Sequence, residues 1–306
     1  MPVHPIHADA LTGDLAARKV QEWCALLESG AVLYFPQTPI PIPAEDLALF
    51  LQFKQADSAH HKNIAYKPTH DRLSGIDTKA TSADESYQLH AAMRRYSSGV
   101  AGFLAGFLSP YRQSWQLDYA SYRPLEEQDR KLPMHRRNDL LHTDAFPTRP
   151  TRGARILRFF HNIHPNRTRD WVLSEPFAKF VGRFAPAKIS MPVPENAFKR
   201  TGRQFAQATG LGKLLPALKR TPYDKFMMQL HNAMKEDELF QQTCLKERFS
   251  FAPGSSWMVY TETVPHAVLA GQYALEQTLL VDPLACVLPE SAPLAILEKR
   301  AGAPLA

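Results

Sequence analysis

Leu140-Leu141-His142-Thr143-Asp144-Ala145-Phe146 is the segment around which the rest of this chain can be ordered. Side chains at i and i+2 of a strand share a face. His142 and Asp144 would therefore offer an imidazole nitrogen and a carboxylate oxygen to one ion. With a second histidine from a distant strand they make a 2-His-1-carboxylate set with open positions, the arrangement of non-heme Fe(II) oxygenases. The tripeptide alone carries little weight. His7-Ala8-Asp9 has the same spacing, but it lies in a polar, proline-containing stretch that does not read as a strand.

Downstream, His161, His164, His231 and His266 are available. His161 and His164 belong to the next strand and come too soon. His231 sits in Tyr223 to Phe240, a helical pattern, and reads as a histidine on a helix face or in the core. His266 follows Trp257-Met258-Val259-Tyr260 and precedes a hairpin expected to close at Gly271, so it fits a late strand opposite the first. The competing reading of His266 is a surface hairpin histidine. A 2-oxoglutarate-type cosubstrate would chelate the metal and need a fixed cation for its far carboxylate, ideally a bidentate arginine. Gly271 to Thr278 holds no Lys or Arg. Arg158, with Arg155 second, is the alternative on the strand after His-x-Asp. The two have opposite parity, so a regular strand turns at most one inward. Tyr122 is a candidate donor to the same carboxylate, and Asn162 to the metal-bound end.

Around that centre the 306 residues divide by texture. The first 114 read as mostly helical: Leu15 to Leu27 with Gly30 as a stop, Ala44 to Gln55, and Ser82 to Leu108 with a break near Ser97-Ser98-Gly99. Ala31 to Phe35 is one buried strand among them. From about 115 to 285 short strands recur between turns, at 116–122, 140–146, 154–163, 248–251, 257–262, 266–269 and 278–281. Regular strand–helix alternation is missing. The expected architecture is α+β: one domain over 1–306 with a jelly-roll core at 115–285, an N-terminal helical layer, a helical insertion at 177–239 and a tail at 286–306.

The composition, 44% apolar and 22% charged, is that of a globular protein. Cys24, Cys244 and Cys286 form no CxxC pair, which argues for a reducing compartment and against a thiolate site. The N-terminus shows no signal-peptide pattern, and no apolar run approaches the length of a membrane span. The formal charge is +6. Lys179 to Lys225 alone carries ten Lys/Arg (179, 183, 188, 199, 200, 203, 213, 219, 220 and 225) against Glu195 and Asp224. The remainder is therefore slightly acidic. Leu211, Leu214, Leu215, Leu218 and Phe226 are interleaved with those cations, a pattern suited to an anionic lipid surface. Arg136, Arg137, Arg149 and Arg152 flank the His-x-Asp segment and are candidates for substrate carboxylates or phosphates.

The segments LLHTDAFPTRPTRGARILRFFHNIHP and FAPGSSWMVYTETVPHAVLAGQYALEQTLLVD resemble the bacterial Kdo hydroxylase family. The resemblance covers most of the chain. It implies an Fe(II)/2-oxoglutarate- and O2-dependent dioxygenase with a double-stranded β-helix core and His142, Asp144 and His266 as iron ligands. The implied reaction hydroxylates C3 of Kdo, 3-deoxy-D-manno-oct-2-ulosonic acid, to give Ko. The implied partner is a Kdo-lipid A type glycolipid at the inner face of the inner membrane, reached by a cytoplasmic protein bound peripherally, as a monomer or homo-oligomer. Three other readings compete. A hydroxylase of another acidic small molecule or lipid fits the same residues. A cupin-like, non-oxidative metal protein shares the metal set. A nucleic-acid-binding module is disfavoured, because the basic stretch lacks regularly spaced aromatics and any recognisable nucleic-acid motif.

Overall fold

The computed structural model describes residues 3–53, 55, 63–77, 79–184, 188–196, 201–202 and 220–306. The N-terminal part contains β1 (Val3–Pro5), α1 (Gly13–Glu28), β2 (Val32–Phe35), α2 (Ala44–Gln52), β3 (Ile64–Lys67), β4 (Arg72–Ser74) and α3 (Ala83–Phe107). The central part is β5 (Trp115–Arg123), β6 (Arg155–Asn162), β7 (Arg169–Leu173) and α4 (Phe177–Phe184). Then come α5 (Pro222–Glu236), α6 (Glu238–Thr243), β8 (Glu247–Phe251), β9 (Ser256–Tyr260), β10 (His266–Ala270), β11 (Ala274–Val281) and α7 (Pro293–Ala301).

The strands form two sheets. The larger runs β1-β2-β9-β6-β11-β5-β3-β4 and the smaller β10-β7-β8. All the pairings are antiparallel except β1 with β2. The result is a mixed α/β chain built on a large sheet. One face of that sheet packs on the N-terminal helices through Leu157, Phe159, Ala120, Tyr122 and Leu275. The other face meets the small sheet through Phe160, Trp257 and Val259 against Trp171, Leu173 and Phe251. Full burial of each of these large apolar side chains is worth roughly 1.5–3 kcal/mol, so the two clusters fix the spacing between the sheets.

The structure alters several expectations. Helix α3 runs unbroken from 83 to 107. Ser97 points inward and donates to Gln277 Oε1 at 2.7 Å, and at Gly99 a Cβ would stand 3.2 Å from Ile40 Cγ2. Both small residues thus serve packing against neighbours. The N-terminal part also supplies four strands, β1 to β4, to the large sheet. Gly271 closes no hairpin: β10 and β11 lie in different sheets, and Gly271, at φ +117°, carries the chain between them. The segment after 285 is no loose tail. It holds α7, and the Leu305 carbonyl accepts from Tyr223 N–H at 3.1 Å. Half of the ten cations expected over 179–225, namely Lys199, Arg200, Arg203, Lys213 and Lys219, lie outside the described residues.

Candidate metal centre

Residues 140–146 form only one bridge of β-pairing, His142 with His266. The two exchange backbone hydrogen bonds (3.1 and 2.9 Å), and Asp144 N–H donates to the Thr261 carbonyl at 2.9 Å. These bonds set His142 beside the first residue of β10 and turn Asp144 to the same side. The His142 Nδ1 donates to its Leu140 carbonyl at 2.7 Å, and the His266 Nδ1 to the Val264 carbonyl at 2.9 Å. A carbonyl only accepts, so each ring carries its proton on Nδ1 and keeps the Nε2 lone pair free. One ligand atom from each of His142, Asp144 and His266 can be chosen so that all lie within 4.8 Å of one another. His142 Nε2 stands 3.8 Å from Asp144 Oδ1. The Trp171 indole stacks on the His266 ring at 5.1 Å.

The electrostatics suit a cation. Burial and the neighbouring cations hold His142 well below the ordinary imidazole pKa, and burial depresses His266 against the opposing pull of Asp144. Both are therefore neutral ligands at neutral pH. Burial alone would raise the Asp144 carboxyl, but the Arg158 guanidinium holds it far below the usual range. Arg158 Nε lies 3.0 Å from Asp144 Oδ2, an ion pair without hydrogen-bond geometry. The donor set fits one divalent ion of the Fe(II) type.

Beside the triad is a cavity of about 40 Å³ lined by Arg123, Arg158, Arg169, Asn138 and the apolar side chains of Phe160, Trp171 and Val268. Its arginines are tied to carboxylates. Arg158 Nη1 is 2.9 Å from Glu276 Oε1, and Arg123 also pairs with Glu276. Arg169, 1% exposed, donates to the Gly271 carbonyl at 2.8 Å and lies 3.5 Å from Glu127. Burial lowers Arg169 to about 10, so it stays charged near neutral pH.

Strand parity explains which expected residues reach this cavity. Arg158 does. Arg155 falls on the opposite face of β6, where it pairs with buried Glu262 at 3.1 Å and stacks over Tyr260. Tyr122 likewise points away from the site and donates to the Phe50 carbonyl. Its neighbour Arg123, not foreseen, faces the cavity instead. Asn162 spends its amide on the carbonyls of Arg167, Phe251 and Ala252. For Arg155, Tyr122 and Asn162 the geometry therefore corrects the expected cosubstrate contacts, because these groups are engaged elsewhere. Of the four flanking arginines, Arg149 packs against Phe146 and Tyr119 (4.3 and 4.6 Å to the ring centroids), shares the Phe146 ring with Arg158, and is paired with Asp118. Arg137 pairs with Asp139, and Arg136 and Arg152 are exposed.

A second set of residues, also unforeseen, holds the His-x-Asp segment from outside. His231 of α5 donates from Nδ1 to the Thr143 carbonyl at 2.7 Å, and its ring meets that of His142 edge-on at 5.0 Å. Gln241 of α6 accepts from Leu141 N–H at 3.0 Å and donates to the Leu141 carbonyl at 2.9 Å. Helical side chains thus satisfy backbone groups that a neighbouring strand would otherwise take.

Two facing sheets enclosing a His-Asp-His triad and an arginine-lined cavity define a non-heme metal protein of the Fe(II)/2-oxoglutarate dioxygenase class. The family model of 3-deoxy-D-manno-oct-2-ulosonic acid (Kdo) hydroxylase matches residues 12–304. The chain belongs to the Kdo hydroxylase family. It is similar to the crystal structure of the Kdo hydroxylase KdoO, a non-heme Fe(II) α-ketoglutarate-dependent dioxygenase, in complex with α-ketoglutarate and Fe(III). Identity is 31% and the TM-score 0.84, over all of this chain and 98% of that one. The cobalt(II) complex of KdoO matches with the same identity and TM-score over 97% of its chain, and the succinate–Fe(III) complex at TM-score 0.82. Among curated protein sequences none matches.

Proposed function

We propose that this chain hydroxylates C3 of Kdo carried on a lipid A type glycolipid, in a reaction dependent on Fe(II), 2-oxoglutarate and O2. The observation that carries the reading is the junction of the triad with a cavity walled by Arg123, Arg158 and Arg169. His142 and His266, through Nε2, and Asp144, through its carboxylate, would hold the iron. When bound, iron and the 2-oxo acid supply the oxidising chemistry. The chain's own part is positional. A dicarboxylate needs fixed cations on a dry wall, and the three arginines are the candidates in place of the arginine missing from β11. Phe160, Trp171 and Val268 limit water beside the metal. The carbonyl bonds to both Nδ1 atoms keep the two rings from turning.

We further read the two sheets as the faces of a double-stranded β-helix and the whole chain as one catalytic unit. Among the described residues no helix is long and apolar enough to cross a membrane. The net +8 of residues 179–225 supports a peripheral position on the anionic inner face of the inner membrane, where such a glycolipid resides. Arg149, held between two rings near the site, is the first candidate for an anionic substrate group. Mass spectrometry of Kdo-lipid A precursor incubated with protein, Fe(II), ascorbate and 2-oxoglutarate tests the reading. A gain of one oxygen confined to Kdo is expected. No gain from iron-loaded protein would remove the substrate assignment.

A further inference from the structure

Trp171 meets the metal centre face to face. It is the middle residue of β7, 1% exposed, and its indole lies 5.1 Å from the His266 ring and 17° from parallel to it. The same side chain forms part of the wall of the cavity beside the triad. Phe160 at 4.9 Å, Trp257 at 5.5 Å and Phe251 at 5.7 Å close round it edge-on. Its Nε1–H is buried and has no hydrogen-bond partner among the described residues. A buried indole usually finds one, and a donor left without it costs about 1–3 kcal/mol. A phenyl ring would fill the same aromatic box and carry no orphaned donor. Packing alone does not call for an indole here, so its electron-rich ring is the property to explain.

The reaction of the family divides O2. One oxygen atom enters the 2-oxo acid, which leaves as succinate and CO2, and the other enters a C–H bond of the substrate. With no sugar seated, that second atom has no substrate bond to enter, and it meets the cavity wall. Besides polar side chains and Val268, the wall offers two aromatic rings, Phe160 and Trp171. An indole is oxidised more easily than a phenyl ring. We propose that Trp171 is a modification site: without sugar, the chain hydroxylates this indole itself. The step balances. An indole C–H, O2 and 2-oxoglutarate give an indole C–OH, succinate and CO2. Two electrons come from the decarboxylation and two from the C–H bond, so no further reductant is consumed. The inference rests on the Fe(II)/2-oxoglutarate chemistry of the family and not on which sugar is the substrate. Oxidation then falls on a side chain that holds no metal, and the triad keeps its three ligands.

Peptide mass spectrometry of the chain incubated with Fe(II), 2-oxoglutarate and O2 in the absence of sugar tests it. The tryptic peptide 170–179 holds Trp171 as its one tryptophan. It should gain the mass of one oxygen atom, placed on Trp171 by fragment ions. It should gain none with Co(II) in place of Fe(II), or without 2-oxoglutarate. A Kdo-bearing glycolipid added beforehand should suppress the gain. A second readout needs no turnover. Co(II) should quench the tryptophan emission of the wild type and quench that of Trp171→Phe much less, because Trp23, Trp115 and Trp257 are not among the cavity-lining side chains. The inference is overturned by an unmodified Trp171 after 2-oxoglutarate has been consumed without sugar, or by no such consumption in the loaded chain. Oxygen spread equally over Met134 and other exposed side chains, or equal quenching in Trp171→Phe, overturns it too. A glycolipid that neither suppresses the gain nor is oxygenated leaves Trp171 in place and removes the proposed substrate instead.

Discussion

His161 sits on β6 between Phe160 and Asn162, 4% exposed, with no partner for its Nδ1 among the described residues, and burial lowers its pKa to about 4. Above pH 6.5 it is neutral in both folded and unfolded chains and contributes nothing to pH dependence. Below 6.5 the unfolded chain takes up a proton that the folded chain refuses until about pH 4. Stability is therefore lost as the pH falls through that window, by about 3 kcal/mol in total for this one residue. Urea unfolding at pH 7.5 and 4.5 should show His161→Leu losing less stability than the wild type by about that amount. Equal losses would place His161 in contact with water. Parity decides its position, as it decides the site: 157, 159 and 161 face the helices, while 158 and 160 face the metal. That rule was legible in Arg155 against Arg158. Applied to β5 it also separates Tyr122 from Arg123, but only once the strand's face is known, and the face depends on pairings with β3 and β11 far away in sequence.

At the scale of elements, the helices α5 and α6 act on the site through backbone groups. Gln241 meets both the N–H and the carbonyl of Leu141, the residue before His142, and also donates to the Met234 carbonyl at 2.7 Å. Gln241→Leu leaves these groups unpaired in a largely buried place, at about 1–3 kcal/mol each if water cannot reach them. The expected result is faster hydrogen exchange at the Leu141 amide and Co(II) affinity lower by about tenfold, as for residues that orient metal ligands. Unchanged affinity would mean that the bridge to His266 suffices. Helix α5 itself was legible from its period, and a Thr221–Asp224 capping box starts it in the structure. Its role was not, because a carbonyl acceptor such as Thr143 leaves no mark in the sequence. The break expected in α3 shows the same limit: Ser97-Ser98-Gly99 is a breaker by propensity, and the contacts that override it come from Gln277 and Ile40.

For the whole molecule, the triad joins two segments more than a hundred residues apart, the His-x-Asp segment and β10 of the small sheet, so a bound ion should act as a cross-link on the fold. The sequence made this legible because His-x-Asp and a late strand-initial histidine are compositional facts. The arginine set becomes visible only when β5, β6 and β7 converge. A ligand that binds only the folded chain adds about 2.7 kcal/mol at a hundred times its dissociation constant. For a cooperative unit of this length that is about 4 °C in Tm. Scanning calorimetry with Co(II) should show a single transition that rises by about that much and is concentration-dependent. His142→Ala and His266→Ala should abolish the rise, since a set with one ligand removed holds the ion weakly. A rise that persisted in His266→Ala would break the link between β10 and the metal. A rise confined to one of two resolved transitions would divide the chain into separately unfolding parts and end the reading of it as one unit.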